Sequence, residues 1–267
     1  MSQLITKSKN TRRELLAWGT ILAILTLGSV GWLIAENVDL SSDFSPAIIV
    51  IAYASSLAAV ITTGIAGGWR SVKSLFAQVG KWRVSPKWYA CAILLPVGVV
   101  GAAHLLSQLF GAEAPSPWVD FAALAPGIAA IIAGGLGEEL GWRGFAQPRL
   151  QRRFSVFWAS VIIGVIWATW HSWPLLISGG MEGAWLTDTA LTYLRLISTA
   201  IIYGWLYSVS GGSLLLVMIA HMAHNVVLTA TITPEGDTTF AVMVAILYAL
   251  AASIITFCAS KRIFAKA

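Results

Sequence analysis

Long apolar runs dominate this chain, and polar residues gather at their ends. Eight stretches stand out, at about 15–35, 46–66, 88–110, 121–148, 155–177, 186–208, 213–231 and 239–260. Each is close to the ~20 residues a helix needs to cross the hydrocarbon core of a bilayer. The pattern predicts an all-α fold, a polytopic membrane protein with about eight transmembrane helices. Residues 1–14 read as a polar, basic arm expected to be mobile and cytoplasmic. Residues 15–260 read as a single transmembrane domain, and 261–267 as a cytoplasmic tail. The first apolar run is too long for a signal-peptide core and lacks a small-residue cleavage site, so it is expected to remain as a helix. The sequence shows no internal repeat and no linker long enough to separate two domains.

Composition agrees with that class. Apolar residues make up 57% of the chain and charged residues 11%, with a mean hydropathy of +0.77. A soluble domain with a large core is excluded. Cys91 and Cys258 both lie inside apolar runs, so they suggest neither a disulfide framework nor a metal-binding CxxC.

Charge adds an orientation. Basic residues occupy the N-terminal arm (Lys7, Lys9, Arg12, Arg13), the 67–87 connection, the Arg149-Arg152-Arg153 turn and the tail. Acids occupy the alternate connections: Glu36, Asp39 and Asp43; Glu113 and Asp120; Glu182; Glu235 and Asp237. Lysine and arginine mark the cytoplasmic side, so both termini are expected there. The net charge of +5 is then explained by topology and by attraction to anionic membrane lipids, and no nucleic-acid partner is needed. The 67–87 connection, with Trp69, Phe76, Trp82 and Trp88 among its basic residues, reads as an amphipathic interfacial helix. A docking surface for a substrate tail is the alternative. Most of the 13 tryptophans suit the interfacial belts.

The candidate chemistry begins at Gly137-Glu138-Glu139-Leu140-Gly141-Trp142-Arg143-Gly144, at the end of an uncharged apolar run. An ionisable side chain at the bilayer centre costs about 2.5–3.5 kcal/mol on insertion scales, so such groups persist where they pair or act. Glu139 and Arg143 are four apart and can pair along one helix face. Glu138 lies about 100° around the axis and is free to face something else.

Histidines reach the same depth. Spans four and five are antiparallel, and the midpoint of 138 and 171 falls beside the basic turn. Glu138 and His171 then each lie about 24 Å from the hairpin tip at 1.5 Å per residue, able to face one another. His221 and Asn225 are four apart and share a face of span seven. His224 sits beside them with an open role, whereas His104 reads as a packing residue.

Two chemistries fit this set. Glu138 next to a histidine can take a proton from water, while a second histidine and an amide stabilise an oxyanion. Alternatively Glu138, His171 and His221 form a two-histidine, one-carboxylate set able to hold a divalent metal such as zinc. Both predict peptide-bond hydrolysis by activated water.

Glu138-Glu139-xxx-Arg143, an aromatic residue four before His171, and His221-xxx-Asn225 resemble the three motifs of the CAAX-processing and bacteriocin-processing (CPBP, or Abi) family of intramembrane proteases. The run from Glu138 to Arg152 is similar to bacterial members, and the resemblance covers about residues 120–230. It implies a helical membrane core with a cavity open to the cytosol. Glu138 would activate water with His171, His221 and Asn225 would stabilise the oxyanion, and Glu139 and Arg143 would support the site. Trp167 stands where the family usually has phenylalanine, expected to serve as an aromatic wall. Eukaryotic relatives remove the last three residues of prenylated CAAX proteins, and bacterial ones are linked to bacteriocin maturation or immunity. The expected partner is thus a membrane-associated or lipidated peptide, and short loops suggest a prokaryotic plasma membrane.

Arg195, the sole basic residue of span six, is a candidate to receive a substrate carboxylate or to pair with an outer-side or site acid. Two other functions stay open: a proton- or ion-coupled transporter using the same groups, and a non-catalytic bacteriocin-immunity protein. No pair of broken spans recurs in corresponding halves, which counts against the transporter.

Overall fold

The computed structural model describes residues 2–40, 45–113, 115–124, 131–177, 185–232, 238–259, 261 and 264; for 2–9 and 123 it describes the backbone alone. Asp43, Glu182, Glu235, Asp237, Arg262 and Lys266 lie outside this set, as do residues 125–130 of span four.

Helices α1 (Ser2–Ala35), α2 (Pro46–Phe76) and α3 (Pro86–Leu109) come first. The helical stretch 131–150, here α4, follows. Next are α5 (Val156–Trp170), α6 (Trp185–Val209), α7 (Leu214–Ala230) and α8 (Thr239–Cys258). The described residues contain no strand, only an isolated bridge between Val119 and Thr231. The all-helical, polytopic membrane architecture expected from the sequence is therefore found. By length and composition, five of the described helices could cross a membrane; α7, an apolar helix of 17 residues, is shorter.

Local chemistry explains the helix starts. Ser45, Ser155 and Ser213 each turn an extended backbone into a helix by accepting an N–H of the first turn. Pro46 and Pro86 occupy the first helical positions, where a missing N–H costs nothing.

The N-terminal arm departs from expectation. Helix α1 begins at Ser2, so the basic arm is helical and continues without a break into the first span. Its end is tied down: Arg149 Nε donates to Glu14 at 2.7 Å, and Arg152 donates to Thr11 at 2.8 Å. The 67–87 connection is helical through Phe76 after a break at Gly68, whose φ of 65° suits glycine. Trp69, Phe76 and Trp82 are exposed on it, in keeping with an interfacial segment.

The basic connections gather at one end of the bundle. There Lys81 donates to the carbonyl of Gly211, Ser213 donates to the carbonyl of Lys81, and Gln78 donates to the carbonyl of Gly144. At the other end Asp120 N–H donates to the Ala230 carbonyl and Ser45 donates to Glu36.

Between α4 and α5 the chain makes an antiparallel hairpin. Gln147 donates to Ser160, and further from the tip Glu138 meets Trp167. This register places Glu138 one helical turn short of His171, close to the equal depth predicted.

Candidate functional site

Helix α4 is not a regular α-helix. Ala133–Glu138 and Leu140–Ala146 wind as π-helix, and only Gln147–Leu150 returns to α. Such wide turns are rare and frequent at functional sites. Small residues let the stretch press against its neighbours. A Cβ on Gly134 would stand 2.5 Å from Asn225 Nδ2 and 3.3 Å from His221 Nε2, so any side chain there would displace these two groups. Ser55 of α2 donates to the Glu138 carbonyl at 3.0 Å, a further tie at a π-wound turn.

The two carboxylates have separate partners. Glu139 and Arg143 are fully buried and pair at 2.8 Å, as their spacing predicted. Glu139 Oε1 also faces His221 Nδ1 at 2.9 Å. Both contacts fall on Oε1, while Oε2 of Glu139 and Nε and Nη2 of Arg143 are buried without a hydrogen-bond partner among the described residues, so charge balance within the pair carries the burial. The guanidinium of Arg143 lies over the rings of Trp167, at 4.8 Å, and Tyr203, at 5.0 Å. Those contacts suit a cation whose remaining N–H groups face aromatic surface.

Among the described residues no ion pair is formed by Glu138. Its Oε2 accepts from Trp167 Nε1 at 2.6 Å and from Trp142 Nε1 at 3.3 Å. Two indoles hold the carboxylate in place without neutralising it. The other oxygen is left for chemistry.

His171 caps the C-terminus of α5, with Nδ1 3.0 Å from the carbonyl of Trp167. A carbonyl only accepts, so Nδ1 carries the hydrogen and a neutral ring presents a bare Nε2. The ring packs edge-on against Trp167 and Trp170. Glu138 and His171 are thus linked through Trp167, and no direct hydrogen bond joins them among the described residues.

On α7, His221 and Asn225 share the face that meets Gly134, as predicted. His224 turns the other way, with Nδ1 2.6 Å from the Tyr248 hydroxyl of α8. It packs there rather than joining the set. His104 stacks on Trp118 with ring centroids 4.6 Å apart, the packing role expected of it.

The metal alternative does not match this geometry. Among the described residues, no three His, Cys, Asp or Glu side chains come together as a group that could hold an ion. Glu138, His171 and His221 are neighbours of one indole ring instead of ligands around one point.

Two contributors escaped the sequence reading, Trp142 and Trp167 as hydrogen-bond donors. Their spacing offered a signal: Trp142 is four residues after Glu138, and Trp167 is four before His171. Away from the interfacial belts, Trp18, Trp142, Trp167 and Trp170 line this buried region, with Trp18 edge-on to Trp142 at 5.3 Å.

Residues 120–227 match the model of a family described as type II CAAX prenyl endopeptidase Rce1-like. Over 132 residues the chain is 30% identical to a protein named CAAX prenyl protease 2 from Methanococcus maripaludis. That alignment takes in 48% of this chain and 47% of the relative, so the chain spans about half the length of the curated protein it matches. The resemblance to the CAAX-processing and bacteriocin-processing proteases therefore holds over the segment that carries all three motifs.

Proposed function

We propose that this protein is an intramembrane endopeptidase of the CAAX-processing type. It hydrolyses a peptide bond of a membrane-associated, prenylated peptide or protein with water activated by Glu138. The observation that carries this reading is the contrast between the two acids. Glu139 is balanced by Arg143 and faced by His221, whereas Glu138 is held only by two neutral indoles and keeps its basicity for a substrate water.

In the proposed reaction Glu138 takes one proton from water while the bare Nε2 of His171 accepts a hydrogen bond from the other O–H, which stays on the oxygen, and orients the lone pair. The oxygen attacks the scissile carbonyl carbon. Asn225 Nδ2–H donates to the oxyanion that forms, and His221 adds Nε2–H when its ring is protonated, with Glu139 balancing the charge. As the C–N bond breaks, Glu138 passes its proton to the leaving amine, and acid and amine products result. Every step uses groups of this chain and water.

The charge alternation supports both termini in the cytoplasm, and the short loops support a prokaryotic plasma membrane. Substrate would then reach the site from the cytosolic leaflet. The test is cleavage of a quenched peptide carrying a farnesylated cysteine by purified protein in nanodiscs. Hydrolysis by the wild type and none by Glu138→Gln is expected. Equal turnover by both proteins would overturn the mechanism, and proton flux in liposomes without cleavage would favour a transporter.

A further inference from the structure

Arg195 is a second intramembrane guanidinium that the reaction above does not use. It sits half-buried on α6, and its charge acts on Tyr203 and Tyr248, His171 and His224. All of these are groups that can remain neutral. A cation placed among such neighbours is expensive unless an anion joins it, and in membrane helices such residues mark sites of function.

The two site acids that were candidates for pairing are taken. Glu139 binds Arg143 and faces His221, and Glu138 accepts from two tryptophans. Among the described residues no carboxylate lies within ion-pair distance of Arg195, whereas Arg143 and Arg149 each have one.

Its distance from the chemistry is informative. Arg195 precedes Tyr203 by eight residues of α6, and the Tyr203 ring lies 5.7 Å from that of His221. Eight residues rise about 12 Å between backbone positions along a helix, and the Arg195 side chain, whose charge acts on Tyr203 and His171, closes part of that distance. An extended peptide covers about 3.3–3.6 Å per residue, so about three residues at most span the gap that is left. A planar guanidinium matches a carboxylate with two parallel hydrogen bonds, a geometry a lysine cannot reproduce.

We propose that Arg195 is the carboxylate anchor of the site, binding the free C-terminal carboxylate of the short peptide on the leaving side of the scissile bond. The proposal rests on the protease reading for its substrate. It makes the enzyme a counter of residues from the chain end, with Arg195 fixing where the carboxylate stops and the Glu138 region deciding where the bond breaks.

The experiment uses two peptides with the same farnesylated sequence, one ending in a free carboxylate and one in an amide. Binding is measured first on full-length Glu138→Gln protein in nanodiscs, so that turnover plays no part. The acid peptide is expected to bind at least tenfold tighter than the amide. Adding Arg195→Met should erase that difference, and Arg195→Lys should keep part of it. Equal binding of the two peptides overturns the proposal without any Arg195 variant having to fold, and so does a preference that survives Arg195→Met. Cleavage by the wild type separates this outcome from the function itself. Equal cleavage of acid and amide leaves a protease without the anchor, whereas preferential binding without cleavage leaves the anchor and removes the protease.

Discussion

Trp167 joins Glu138 to His171 with opposite ends of one residue. Its indole N–H donates to Glu138 Oε2 at 2.6 Å, and its carbonyl receives His171 Nδ1 at 3.0 Å. The catalytic acid and the imidazole are thereby held in fixed relation although they do not bond to each other. A hydrogen bond to a charged group contributes about 1.5–3 kcal/mol, and 1.4 kcal/mol is a factor of ten. Trp167→Phe keeps the wall and drops this donor, so kcat should fall about tenfold with little loss of stability. Trp142→Phe should do less, because its bond is longer at 3.3 Å. Steady-state kinetics with thermal melts in detergent checks both, and an unchanged kcat in Trp167→Phe would reduce the residue to a wall.

Glu138 and Glu139 are neighbours with opposite expected phenotypes. Glu138→Gln should abolish hydrolysis and leave the melting temperature close to wild type, since an amide can still accept from the indoles. Glu139→Gln leaves the buried Arg143 without its counter-charge, and breaking a buried pair costs about 3–5 kcal/mol. Denaturant unfolding should show that loss in Glu139→Gln alone. The reverse order of stabilities would mean that the two carboxylates have been assigned the wrong way round.

Gly134 tests the oxyanion pair without touching it. Alanine there pushes against Asn225 Nδ2 and His221 Nε2. Misplacing a catalytic group by about 1 Å can cost 10²-fold, so Gly134→Ala should lower kcat by about that factor with KM nearly unchanged. Asn225→Ala removes the donor itself and should cost about 10²–10³ in kcat. If Gly134→Ala turned over at the wild-type rate, the close approach would serve packing alone.

Chelation separates the metal and water accounts. Because Glu138, His171 and His221 do not gather as a ligand group among the described residues, dialysis against a chelator should leave kcat within about twofold. Complete loss of activity, restored by zinc, would contradict the arrangement drawn here.

Orientation is read by labelling. Cysteines placed at 36–40 and at 231–232 should react with an impermeant reagent from outside the cell, and those at 70–87 only after the membrane is opened. The opposite pattern would reverse the topology and turn the site toward the other face.

Whatever depends on neighbours along one helix, or on hairpin length, is legible in the order of the residues. Hydrophobic runs of spanning length specified an all-helical membrane protein, because a backbone in lipid must satisfy its own hydrogen bonds. The Glu139–Arg143 pair follows from a spacing of four, and His221 shares a face with Asn225 for the same reason. The Glu138–His171 depth came out within one turn, since the rise per residue and a tight hairpin leave little freedom. Tertiary structure decided how each helix is rotated about its axis. That rotation comes from close packing of small residues such as Gly134 against α7, and no local pattern encodes it. It turned His221 toward Glu139, sent His224 to Tyr248 and aimed two indoles at Glu138. The π-helical winding of α4 belongs to the same class, because its wider turn is stable only where neighbouring helices press on it. The anchoring of the first helix also arose from distance in the chain, since Glu14 and Thr11 are held by arginines more than a hundred residues away.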